Sequence, residues 1–412
     1  MIDSIRGNVL KQSVAILDLG TSKITVLIGS RGINDTINLD GVGVCEYGGF
    51  ACGQWLDGER LSHCVGQAIA SAETRARQKI EKLYVGVPNE FSQCHVVDAS
   101  ISLNKKRRVT DRDVQTLLDN GNTFDDPNRI VINMQPIYYT LDNSHKLIEP
   151  VGMTSTKLSG SISYILARND FIEDITAAAG LAGIEDVEFL SASLAELILL
   201  FDDFRRDKCV MLADVGALGT ALTIGRGDGI CVQKYFSWGG RRITDALADK
   251  FDIPFKQAEQ LKRKVILSLE PDFVPPSDEE EPPVVQTEYE LEIAGEIKRF
   301  DVAETNLVVR LEIEQLARYI QKALKKCNYD YPEYTPLSVT GGGIIPMRGA
   351  IEYLSECLAH EAEAVKPMQP MLDSAPLSSA LGILNMVLVS NPTDGGMINR
   401  FKRWFSKRKQ KE

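Results

Sequence analysis

One local pattern occurs twice in this chain and limits its fold more than any other feature: an apolar strand runs into an Asp-x-Gly turn and leaves as a second β-rich run. The first copy is Val14–Leu17, then Asp18-Leu19-Gly20-Thr21-Ser22-Lys23, then Ile24–Ile28; the second is Cys209–Ala213 followed by Asp214-Val215-Gly216-Ala217-Leu218-Gly219-Thr220. Apolar, β-branched runs separated by such a turn read as hairpins. A turn of this kind gathers backbone N–H groups and hydroxyls that suit phosphate oxygens, and its Asp is available to hydrated Mg2+. A single copy is also what an ordinary hairpin contains. Two copies imply two lobes of related design, gripping one phosphate chain from both sides. The candidate phosphate residues are Asp18, Gly20, Thr21, Ser22 and Lys23 in one turn and Asp214, Gly216, Ala217, Gly219 and Thr220 in the other. Asp18 and Asp214 are the candidates to hold Mg2+ through water.

Two further loops fit a nucleoside. Thr340-Gly341-Gly342-Gly343 ends a strand in three glycines, which suits close approach of backbone to a flat base or ribose. Trp238-Gly239-Gly240 leads into a helix, and the next helix carries Ala258-Glu259-Gln260-Leu261-Lys262. Glu259 and Lys262 lie one turn apart on a common face. They read either as nucleoside contacts or as an exposed helical ion pair.

Composition removes several classes. A formal charge of -11 opposes a polyanionic partner, so no nucleic-acid binding is expected. Eight Cys and four His occur without close metal-ligand spacing, which predicts reduced thiols and neither a zinc site nor a disulfide framework. The N-terminus reads without a signal peptide, and no apolar run reaches the about 20 residues of a spanning helix.

Periodicity and punctuation place helices near 58–79, 110–118, 170–179, 193–204, 240–251, 254–269, 311–326, 349–360 and 376–389, with an exposed strand at 288–293. The stretch 96–167 mixes strands with one helix and reads as an inserted subdomain. Pro275-Pro276, Asp278–Glu281 and Pro282-Pro283 mark a loop that is unable to offset its folding entropy by burial. The expected division is 1–95 and 168–212 as first-lobe core around the insertion 96–167. The second-lobe core is 213–240 and 329–390, around an outer subdomain 241–328 that carries an acidic, Pro-rich insertion at 271–285.

The order of the four loop elements resembles the actin and DnaK-type chaperone superfamily. Within it, the sequence is similar to the bacterial FtsA cell-division proteins, through Glu149-Pro150-Val151-Gly152-Met153, through Gly239-Gly240 followed by Ile243-Thr244-Asp245-Ala246-Leu247-Ala248, and through Ala258–Lys262. The similarity runs from about Val14 to Leu388. It implies an α/β, actin-like (ribonuclease H-like) two-lobed fold with an inserted α+β subdomain. It also implies ATP and Mg2+ between the lobes, self-association into filaments, and tethering of FtsZ and other division proteins to the cytoplasmic face of the membrane at the division site. FtsZ contacts would fall within 241–328. The second turn departs from the family's Asp-x-Gly-Gly-Gly-Thr pattern, because Ala217 and Leu218 replace two glycines and Ala221 stands at a later acid. Leu194 matches the position of a water-orienting Gln in actin and is unable to polarise water, so at most a weak ATPase is expected. Glu196 nearby reads as a solvated residue of an amphipathic helix.

After a linker at 391–396, residues 397–412 read as an amphipathic helix. Met397, Ile398, Phe401, Trp404 and Phe405 share one face, and Arg400, Lys402, Arg403, Lys407 and Arg408 supply cationic charge. That is the pattern of an interfacial anchor on anionic lipid. Three other readings compete. An actin-fold small-molecule kinase requires a catalytic base that is not evident, and a chaperone requires a further domain after Ser390. A pilus-assembly adaptor with degraded nucleotide chemistry has no use for its own amphipathic tail.

Overall fold

The computed structural model describes residues 13–32, 36–142, 145–267, 287–327 and 329–390. The expected acidic insertion, the linker and the amphipathic tail lie outside them. The chain divides into two compact units: one runs to Lys208 and adds Gly225–Cys231 and everything from Pro367, and the other comprises Cys209–Ile224 and Val232–Lys366.

The first unit is built on β1 (Val14–Leu19), β2 (Lys23–Arg31) and β3 (Ile37–Glu46). After a small hairpin of β4 (Phe50–Ala51) and β5 (Gln54–Trp55) come α1 (Gly58–Ala76) and β6 (Lys82–Val87). β1 and β2 are almost wholly buried, as near-continuous apolar runs covered on both faces should be. Asp57 caps α1 by accepting from Arg60 N. Leu61, Cys64, Val65, Ala68, Ile69 and Ala72 then recur at helical spacing and are all buried. Gly41 and Gly43 on β3 let the α1 backbone press against the sheet, since a Cβ on Gly43 would stand 2.8 Å from Ala68 C. The same approach brings Cys45 and Cys64 together as a disulfide, Cα–Cα 5.4 Å, where reduced thiols were expected.

Between β6 and the next core helix the chain makes β7 (Ser92–Arg108), α2 (Asp111–Gly121), β8 (Arg129–Leu141) and β9 (Thr154–Arg168), a three-stranded sheet in the order β7-β9-β8. It has its own core, including Leu117, Leu158, Ile162 and Tyr164. A capping box between Thr110 and Asp113 starts α2, and the Arg107 guanidinium grips Asp113 through two bonds of 2.7 Å. α3 (Asn169–Leu181), β10 (Asp186–Ser191), α4 (Ala192–Leu200) and α5 (Asp203–Lys208) return to the main body.

The other unit starts with β11 (Val210–Val215), β12 (Thr220–Arg226) and β13 (Gly229–Phe236), then α6 (Arg241–Phe251) and α7 (Phe255–Lys262). β14 (Glu288–Ile293) and β15 (Glu296–Asp301) form a hairpin, of which the sequence suggested only the first strand. Asp301 caps α8 (Val302–Lys325) through Glu304 N, so this helix starts nine residues earlier than its periodicity indicated. β16 (Leu337–Thr340), α9 (Ala350–Leu358) and β17 (Ala362–Ala364) follow. The two main sheets share one order, β3-β2-β1-β6-β10 and β13-β12-β11-β16-β17. In each, the strand before the acidic turn pairs in parallel with its neighbour, Asp18 with Gly86 and Asp214 with Thr340.

Three segments fall outside their expected lobes, the shortest being Cys209–Leu212, expected in the first-lobe core and belonging to the other unit. α10 (Ser378–Ser390), expected in the second-lobe core, belongs to the first unit: Gly29 abuts Leu384, Gly86 abuts Ile383, and Gly382 lies on the Ala195–Glu196 backbone. Its apolar residues match that sheet. The turn between β12 and β13 is also counted with the first unit, because buried Arg206 donates to Gly227 O at 3.1 Å and to Asp228 at 3.1 Å.

Replacing Gly43 with Val is expected to lower stability by about 1–3 kcal/mol through overpacking against α1, read as a fall in melting temperature. Asp113→Asn, which weakens the N3 half of the capping box and the pairing with Arg107, should cost about 1 kcal/mol at neutral pH. The Arg107 hydrogen bonds hold the Asp113 carboxyl well below its usual range. Its stabilisation is therefore complete above the unfolded carboxyl pKa of about 3.9 and lost as pH falls below it. Denaturant midpoints of wild type and D113N should converge on acidification; a constant gap would contradict this.

Candidate nucleotide site

In the first unit, the Asp18 turn is closed by Gly20 N donating to Lys23 O at 3.0 Å. The Tyr47 hydroxyl donates to Gly20 O at 2.9 Å, and Tyr47 N donates to Ser22 O at 3.2 Å. Ser379, at the start of α10, donates to Asp18 Oδ1 at 2.6 Å. Burial pushes the Asp18 carboxyl up, against the opposing effects of that hydrogen bond and of the Lys23 charge. Burial, helped by the Asp18 charge, pushes the Tyr47 phenol up as well. Sequence reasoning found neither Tyr47 nor Ser379. The Ser lies 361 residues from its partner, and only the packing of α10 brings it there.

Leu194 is fully buried in α4. Glu196 is only 3% exposed, which overturns the expectation of a solvated residue; Gly382 of α10 lies directly on its backbone.

In the second unit, three loops converge. Gly216 N donates to Gly219 O at 2.9 Å and closes the Asp214 turn. Gly240 N and Arg241 N, at the start of α6, donate to Gly216 O and Ala217 O, both at 2.9 Å, and Gly343 N donates to Val215 O at 2.7 Å. The Thr220 hydroxyl reaches Trp238 O at 2.7 Å, over a fully buried indole. Glycine is required at the contacts: a Cβ on Gly240 would stand 2.5 Å from Gly343 Cα, and one on Gly239 2.7 Å from Gly219 N. Gly341, at φ +90°, backs onto Asp214 and Val215, and Gly343 onto Gly216 O. Of the three glycines after β16, Gly342 alone is exposed. The close approach that these loops make is to one another, with Gly342 turned to solvent. The Tyr235 phenol, which sequence reasoning also missed, rests on Gly219.

Glu259 and Lys262 stand behind this cluster. The Lys262 ammonium donates to Gly240 O at 3.1 Å, to the Thr244 hydroxyl at 3.0 Å and to Glu259 Oε2 at 2.6 Å. Thr244 donates to the same Glu259 oxygen at 2.6 Å, and Arg263 reaches Oε1 at 3.2 Å. Lys262 is 5% exposed, so the alternative of an exposed ion pair is excluded. Burial pushes Lys262 down despite Glu259. For Glu259, burial works upward, but the Lys262 charge and the bonds from Lys262, Thr244 and Arg263 leave the carboxyl below its usual value.

The residues suit a nucleotide in part. Both turns supply the Asp, glycines and hydroxyls of a phosphate cradle, whereas the first N–H groups of α6 are already bound to turn carbonyls. Among the described residues no cluster of three or more metal-ligating side chains occurs.

Residues 92–166 match the model of the SHS2 domain inserted in FtsA, and residues 148–273 match the type IV pilus assembly protein PilM. The cell division protein FtsA of Escherichia coli K12 is 24% identical over 254 residues, covering 61% of this chain and 60% of the relative. The chain thus spans about three-fifths of that relative's length in the match. FtsA of Neisseria meningitidis is 20% identical over 412 residues, 95% of this chain and 97% of the relative. Among solved structures, a PilM–PilN type IV pilus biogenesis complex superposes with a TM-score of 0.59 at 16% identity, covering 92% of this chain and 99% of that one. MreB5 of Spiroplasma citri bound to AMPPNP superposes at 0.51 with 12% identity, covering 90% and 94%. The fold is that of the actin-like ATPases, with the SHS2 insertion of FtsA, and the resemblance to FtsA read from the sequence holds.

The loop contacts predict unequal costs. Gly240→Ala drives a Cβ into the Gly343 backbone, which is unable to yield, and should cost about 1–3 kcal/mol. Gly219→Ala meets first the hydroxyl end of the Tyr235 ring, a side chain that is able to move, and should cost less, with the cost suppressed in a Tyr235→Ala background. Equal, additive losses in a denaturant-melt cycle would refute this.

Proposed function

We propose that this relative of FtsA is an ATP-binding, actin-like scaffold that polymerises at the cytoplasmic face of the membrane and tethers FtsZ and other division proteins at the division site. The SHS2 domain matched at 92–166 carries the reading, because it is the domain inserted in FtsA and lies here between β6 and α3 of an actin-like body. In this reading Asp18, Gly20, Thr21, Ser22 and Lys23 take one side of the phosphate chain. Asp214, Gly216, Ala217, Gly219 and Thr220 take the other, with Mg2+ held through water by Asp18 and Asp214. Gly239, Gly240, Gly341, Gly342 and Gly343 receive the nucleoside. The Leu218 side chain in the second turn and the apolar Leu194 support slow turnover or none, with ATP acting as a conformational ligand.

The tail supplies the membrane end. Met397, Ile398, Phe401, Trp404 and Phe405 enter the interface while Arg400, Lys402, Arg403, Lys407 and Arg408 face anionic headgroups. Among the described residues no helix is long and apolar enough to cross a membrane. One such helix binds reversibly, and filament formation would multiply its hold. The PilM match at 148–273 and the PilM–PilN superposition favour a second reading, an adaptor that recruits a pilus-assembly partner.

Co-sedimentation with vesicles containing anionic lipid should pellet the full chain and leave a chain ending at Ser390 in solution, with calorimetry of ATP and Mg2+ run alongside. Equal pelleting of both forms would remove the anchor. Binding to FtsZ would separate the scaffold from the pilus-type adaptor.

A further inference from the structure

We propose that Lys262 is a positioning residue that holds the Gly239–Gly240 loop from behind, with no contact of its own to the ligand. The inference rests on the reading of that loop as part of a nucleotide site. An ammonium group has three N–H donors, and three acceptors stand within 3.1 Å of Lys262 Nζ: Gly240 O, the Thr244 hydroxyl and Glu259 Oε2. Its donor capacity is therefore filled inside the protein, and the side chain is nearly inaccessible. A ribose hydroxyl would have to displace one of these bonds in a buried setting, where an unmet polar group is costly.

Gly240 is held at three points. Its N–H is bound to Gly216 O of the Asp214 turn, its carbonyl is bound by Lys262, and its Cα lies against Gly343. Lys262 thus ties α7 through a single backbone unit to both the phosphate turn and the triple-glycine loop. Glu259 makes this arrangement tolerable by supplying a counter-charge for the buried ammonium, and Arg263 in turn compensates Glu259 from its exposed side. Thr244 completes the ring, accepting from Lys262 and donating to Glu259. Among charged groups outside it, Asp245 also favours the charged Lys, while Arg263 opposes it.

Two measurements on the full chain test this. Hydrogen exchange without nucleotide should show that Lys262→Met lowers protection of residues 239–242 by about tenfold or more, with the β11 and β16 amides unchanged. Thr244→Val, which keeps the ammonium, should give the same local pattern at smaller size and decides the matter if K262M does not fold. Unchanged protection at 239–242 in a folded variant overturns the proposal, whether or not ATP binds. Calorimetry with Mg2+ and either ATP or 2′-deoxy-ATP supplies the second readout. A loss of about tenfold that is equal for both nucleotides supports positioning. Loss of discrimination between them means that Lys262 touches the ribose, and overturns it. If the wild type takes up neither nucleotide, the nucleotide reading fails on its own, and the exchange data still decide how the loop is held.

Discussion

Much of the second unit's geometry depends on one contact, the seating of Gly240 between Gly216 and Gly343. Its N–H satisfies a carbonyl of the acidic turn, and its missing side chain admits the backbone of the loop after β16. Three segments that are distant in sequence meet there backbone to backbone. Buried backbone groups have to be paired, so this meeting point also fixes where α6 begins. The Lys262 ammonium on the Gly240 carbonyl extends the constraint to α7.

The first unit reaches a comparable result with different means. Besides its own backbone closure through Gly20, its acidic turn is held by side chains, the Tyr47 phenol on Gly20 O and the Ser379 hydroxyl on Asp18. The two sheets have the same strand order, and in each the Asp stands in register with the parallel neighbour. Duplicated topology therefore does not require duplicated chemistry around the turn. α10 links Asp18 to β6 and to the α4 backbone at Glu196, and it is the last described element before the tail.

The insertion between β6 and α3 contributes in another way. It has a separate core around Leu117, Leu158 and Tyr164, and its helix carries its own cap. A module that folds around its own apolar cluster is free to differ from the common actin-like body. That independence explains how a chain of the actin-like fold carries the SHS2 domain that is inserted in FtsA.

By itself the sequence determined whatever depends on neighbours in the chain. The two Asp-x-Gly hairpins, the α1 stripe from Leu61 to Ala72 and the glycines at 239–240 and 341–343 were all legible, because strand and helix periods and turn chemistry are local properties. Tertiary structure alone decided which faces meet. It buried Glu259 and Lys262, which as a spaced pair look the same whether exposed or enclosed. It also turned Glu196 inward under Gly382, laid Tyr235 on Gly219, and brought Ser379 to Asp18 across 361 residues. Periodicity records that a face is apolar or charged and carries no record of its partner, since that partner is chosen by sheet order and by how closely two backbones approach.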